Sequence, residues 1–158
     1  MLEQFIAWAI KNNWQIKTVT TGMAILPKEV TKRYNVPEIY REFLLQIVTC
    51  VNPTETKWFL CADDFAPKPE NEFRWNEFEI ICLDAAEDDA EWIASIQAFW
   101  DGHFPFFMSV DGDYEYYAFD LTDGSIVYGC EPEFEEVTLV AKSFDTFLAK
   151  IVSGELKL

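Results

Sequence analysis

Between Arg74 and Lys142 the chain runs for 67 residues without a lysine or arginine, and that stretch carries 17 carboxylates. Residues 1–74 hold nine acids and nine bases, and residues 142–158 hold three bases and two acids, so nearly all of the net charge of −16 belongs to one continuous block. The block also carries Trp75, Phe78, Trp92, Phe99, Trp100, Phe104, Phe106, Phe107, Tyr114, Tyr116, Tyr117, Phe119, Tyr128 and Phe134. A segment this rich in rings cannot stay solvated as a disordered acidic tail, because disorder needs few aromatic and branched side chains. It must fold with its rings inside and its carboxylates outside. With half of its 158 residues hydrophobic, the chain predicts one domain over 1–158 with a full core.

The charge also excludes partners. Fields of one sign sum over a surface, so the acidic block turns away phosphate backbones and anionic membranes, and direct nucleic-acid or membrane binding is not expected. A basic protein is drawn in by the same field. The N-terminal stretch lacks a basic region followed by an apolar run, which predicts neither a signal peptide nor a membrane span. Cys50, Cys61, Cys82 and Cys130 are widely spaced among apolar neighbours, the pattern of reduced, buried thiols in a cytoplasmic protein.

Hydrophobic spacing predicts helices over 2–12, 28–34 and 37–51, the last with Tyr40, Phe43, Leu44, Ile47, Val48 and Val51 along one side. An edge strand is expected over 14–20 and a short buried strand at Trp58–Cys61. Helical spacing returns around Trp75–Cys82 and Trp92–Trp100. From Phe104 the period changes: strands are expected at Phe106–Val110, Tyr114–Leu121, Ile126–Cys130 and Val137–Ala141, with hairpin turns at Asp111-Gly112 and Asp123-Gly124. Ser143 caps a final helix that Gly154 ends. The order predicts an α+β domain, a mostly antiparallel sheet with helices packed on one face and a closing C-terminal helix.

Three acidic groups are the candidate partner-binding residues. Asp84, Glu87, Asp88, Asp89 and Glu91 fall largely before or within the first turn of a helix, where negative charge is favoured by the helix dipole. Asp113 and Glu115 follow Asp111 in a spacing that opens like a calcium loop, but the sixth and twelfth positions are Tyr116 and Thr122 instead of glycine and a bidentate acid, so a turn explains it and no metal is expected. Glu131, Glu133, Glu135 and Glu136 surround Phe134 in the manner of an acidic loop with one aromatic anchor. His103 reads as a packed or turn residue. No nucleophile elbow, P-loop, dinucleotide fingerprint or zinc-protease motif is present, and no cofactor is expected.

Leu26-Pro27, Glu55-Thr56-Lys57-Trp58-Phe59-Leu60, Trp100-Asp101-Gly102-His103-Phe104-Pro105-Phe106, the run Gly112 to Asp120, Gly124-Ser125-Ile126-Val127-Tyr128 and the run Ala141 to Leu148 resemble, in that order, the SUKH superfamily. That superfamily includes bacterial immunity proteins and fungal regulators of cell-wall synthesis. The resemblance implies an α+β domain that binds another protein, with a bacterial toxin, often a basic nuclease, as the expected partner. Two other readings stand beside it: a regulatory scaffold for a housekeeping protein, and a hydrolase using a carboxylate pair such as Glu133 and Glu136.

Overall fold

The computed structural model describes residues 1–19, 26–69 and 72–158. Its centre is a seven-stranded antiparallel sheet in simple sequential order. The strands are β1 (Gln15–Thr18), β2 (Ile47–Val51), β3 (Lys57–Phe59), β4 (His103–Ser109), β5 (Glu115–Asp120), β6 (Ile126–Cys130) and β7 (Thr138–Ala141). Around it lie α1 (Leu2–Lys11), α2 (Lys28–Arg33), α3 (Glu38–Gln46), α4 (Glu77–Ala85), α5 (Ala90–Gly102) and α6 (Phe144–Ser153), with a single 3-10 turn at Ala62–Phe65. The α+β class and the closing helix are as the sequence predicts. Thr20, the last residue of the expected edge strand, lies outside the described residues.

The hairpins form where Asp-Gly pairs stand. Gly112 and Gly124 take φ of 92° and 77° in the connections 110–114 and 121–125, a left-handed conformation that glycine adopts without steric cost. Ser143 accepts the Thr146 N–H at 3.2 Å to cap α6, and Gly154 ends it at φ 80°.

The expected helix over 37–51 is corrected. α3 stops at Gln46, and Ile47–Val51 crosses the sheet as β2 between β1 and β3. Four of those five residues are β-branched, stiff at χ1 and suited to a pleated surface, while Ile47 and Cys50 are fully buried. Spacings of three and four let a helix continue on paper; strand partners on both sides decide otherwise.

Helices cover both faces, which corrects the expectation that they pack on one. Neighbouring residues of a strand point to opposite sides, and here Tyr117 packs on Phe147 of α6 with ring centres 4.9 Å apart, while Tyr116 meets Trp100 of α5 at 5.0 Å and Phe78 of α4 at 6.0 Å. Face one therefore carries α1, α3 and α6, through Phe5, Phe43, Phe144 and Phe147 against Phe59, Phe106 and Phe119. Face two carries α4 and α5. The consecutive aromatics Tyr116-Tyr117 of β5 are what allows it, since each side of the sheet then has apolar surface to bury.

A register shift in β4 enlarges face one. Pro105 pairs with Ala118 and Phe107 with Tyr117, which leaves Phe106 without an opposite number, so both phenylalanines turn the same way. Tyr40 locks this face: it is fully buried, stacks on Phe43 at 5.3 Å, and its hydroxyl donates to the carbonyls of Leu60 at 2.5 Å and Phe106 at 3.2 Å. On the other flank Arg33, at the end of α2, makes a two-pronged contact with Glu79 of α4 at 2.7 Å and reaches Asp101 of α5 at 2.7 Å. Glu79 is buried, and this paired guanidinium is what lets a carboxylate sit there.

Both outer strands are four residues long, and the register slips between Lys17 and Thr18 in β1 and between Ile126 and Val127 where β6 meets β7. Short, irregular edges offer little to a foreign strand.

Candidate protein-binding surface

The sharp corner between α4 and α5 holds the first acidic group. Asp84 is exposed in the last turn of α4, Glu87 sits at φ 49° in the connecting turn, Asp88 follows, and Asp89 caps α5 by accepting the N–H groups of Glu91 at 3.1 Å and Trp92 at 3.0 Å. All five carboxylates, with Glu91 the fifth, are exposed. Beside them Trp92 leaves 48% of its surface in solvent. Helical spacing places Trp92 in the buried stripe with Ile96 and Trp100, but the stripe narrows toward the helix start and the indole is left at the surface. A large, half-exposed ring in a segment of exposed charges has the composition of an interface hot spot.

The other two groups adjoin. Tyr114 N–H donates to Glu131 Oε1 at 2.8 Å, and Glu115 pairs across the sheet with Cys130, which brings the β4–β5 turn against the loop after β6. Phe134 of that loop is buried flat on Phe78 of α4 at 4.9 Å. The loop is thereby fixed to the flank of the helix whose far end leads to the acidic corner.

Not every predicted acid is available to a partner. Asp113, Glu133 and Glu136 are exposed. Glu115 accepts the Tyr128 hydroxyl at 2.6 Å, and burial together with that carboxylate pushes the phenol's pKa up. Glu131 is half-buried and engaged with Tyr114. Glu135 is turned inward, its Oε1 shielded from solvent beside Cys82, whose thiol is pushed up by burial and by this carboxylate. Sequence alone could not separate these three from their neighbours, since the loop's anchoring rests on Phe134 meeting a helix some fifty residues away.

Other candidates take structural roles. His103 Nδ1–H donates to the Phe99 carbonyl at 2.8 Å and the imidazole stacks on the Phe99 ring at 4.1 Å. Asp111 meets Lys57 Nζ at 3.2 Å. All four cysteines are free, Cys50, Cys61 and Cys82 are buried, and burial pushes the Cys61 thiol up to about 12. Among the described residues no helix is long and apolar enough to cross a membrane.

A second feature went unread in the sequence. On face two, α4 and α5 stop short of β2 and β3, and a groove of about 340 Å³ lies there, floored by Val51 and Trp58 and walled by Asp63, Asp64, Phe73 and Trp75. Its residues come from two strands, a 3-10 turn and a loop, with no spacing in common.

No match was found among curated proteins or among solved structures. A family model described as SMI1 / KNR4 family (SUKH-1) matches residues 26–150. Nearly the whole sheet and α2 to α5 fall within that span. With the greater part of its 158 residues covered, the chain belongs to the SMI1 / KNR4 family (SUKH-1).

Proposed function

We propose that this chain is a non-enzymatic immunity protein of the bacterial cytoplasm that neutralises a cognate toxin by covering the toxin's basic surface. The observation that carries the reading is the corner between α4 and α5, where five exposed carboxylates and the half-exposed Trp92 fall within residues 84–92. Membership of the family, which includes toxin-immunity proteins, supports protein binding as the general role. A nuclease must present cations to phosphates, so an acidic surface that docks there blocks substrate without doing chemistry. Against a hydrolase, Glu133 and Glu136 both stand exposed on the surface of an acidic loop.

The test uses the full-length chain and the toxin-like product of the neighbouring gene, with surface plasmon resonance at 20 and 300 mM salt. Charge reversal at Glu87 and Asp88 should slow association at least tenfold at low salt and flatten its salt dependence, because rim charges steer encounter. Trp92→Ala should instead hasten dissociation at least tenfold, as truncating a central anchor does. Absence of binding at low salt would end the reading, and capture of a housekeeping protein in its place would favour a regulatory scaffold.

A further inference from the structure

The groove over β2 and β3 combines aromatic and charged lining. Its aromatic lining is Trp58, Phe73 and Trp75, with Trp58 and Phe73 edge to face at 5.4 Å. Its charged lining is Glu55, Asp63, Asp64, Lys68 and Arg74. Arg74 Nε lies 3.0 Å from Glu77, and Lys68 Nζ lies 3.8 Å from Asp64 within the groove itself. Asp64 has a further duty, since its Oδ2 accepts the Cys61 N–H at 2.8 Å. Glu55 accepts the Gln15 side-chain amide at 3.0 Å. Asp63 and Glu55 are exposed and take part in no ion pair among the described residues, and the groove lining sets the three carboxylates Glu55, Asp63 and Asp64 against the two cations Lys68 and Arg74. Burial raises the proton affinity of Asp64, opposed by the Cys61 N–H and by the charge of Lys68.

A volume of about 340 Å³ sits at the small end of the roughly 300–1,000 Å³ of ligand pockets, enough for one side chain of a partner but not for a helix. The chemistry that satisfies indole rings and a free carboxylate together is a planar cation: guanidinium stacks on aromatic faces and bonds a carboxylate through its fork of N–H groups, and it is more weakly hydrated than an ammonium. We propose that the groove over β2 and β3 binds an arginine side chain presented by the partner, between Trp58 and Trp75 with its guanidinium against Asp63. The proposal rests on the reading that the partner is a basic protein, and it names a second contact point away from the corner between α4 and α5.

The test needs no partner. N-acetyl-arginine methylamide is titrated into the full-length protein while the indole N–H signals of its six tryptophans are followed by NMR, with N-acetyl-citrulline methylamide as the neutral isostere. The signals of Trp58 and Trp75 should shift saturably, those of Trp8, Trp14 and Trp100 should not move, and the citrulline compound should bind at least tenfold more weakly. Asp63→Asn should weaken the arginine probe at least fivefold, and Asp145→Asn, at an exposed acid of α6, should leave it unchanged. Equal shifts with citrulline, unsaturable drift of Trp92 along with the rest, or an Asp63→Asn variant that binds like the parent would overturn the groove proposal. None of those results bears on the toxin reading, which is decided by the kinetics of Glu87, Asp88 and Trp92 variants.

Discussion

A methyl group at position 129 would stand 2.5 Å from the Tyr116 ring, far inside contact distance. Tyr116 cannot step aside, because it is fully buried, packs on Trp100, and donates its hydroxyl to the Phe134 carbonyl at 2.5 Å. Gly129→Ala should therefore destabilise the protein by about 1–3 kcal/mol, the usual cost of overpacking a filled core, measured by urea denaturation. An Ala that costs nothing would mean that Tyr116 has room to move. The damage should also spread to the acidic loop, since Phe134 is the residue that Tyr116 holds. Residues of this sort were invisible in the sequence: a lone glycine inside a strand run signals close approach, but not to what. Asp-Gly turns and the Ser143 cap were legible because their geometry is written in adjacent residues.

At the scale of elements, α5 has one side chain that serves both its own cap and the proposed docking corner. Asp89 both caps the helix and belongs to the acidic corner. Asp89→Ala should cost about 1 kcal/mol by thermal denaturation, whereas Asp89→Asn keeps an N-cap acceptor and should leave stability near the parent's while still slowing association with a basic partner. If the two variants lost stability equally, the cap would not be the cause. The elements that sequence spacing placed well, α5, α6 and strands β5 and β6, owe their identity to local pattern. The boundary between α3 and β2 does not, since Ile47 and Val51 suit a helix face as well as a strand until β1 and β3 supply partners. Coverage of both sheet faces escaped for a related reason: consecutive aromatics such as Tyr116-Tyr117 announce burial, and only the tertiary arrangement says that separate helices bury each one. The groove, assembled from residues 48–75, had no local signature.

For the molecule as a whole, a net charge of −16, with 17 carboxylates and no lysine or arginine in residues 75–141, sets its response to salt. Exposed carboxylates repel one another over a Debye length that falls from roughly 30 Å at 0.01 M to about 10 Å at 0.1 M, so Tm should climb as salt is added over that range. A flat response in differential scanning calorimetry would show that the acids are compensated where they stand. Repulsion of this kind also keeps copies apart, and the fold adds an independent safeguard in its rims. Because β1 and β7 are both brief and break register, two molecules brought together by high salt find no continuous ladder on which to stack. Screening the charge should then leave a clear solution instead of fibres, with concentration limits for this chain set by exposed side chains such as Trp92 and not by its sheet.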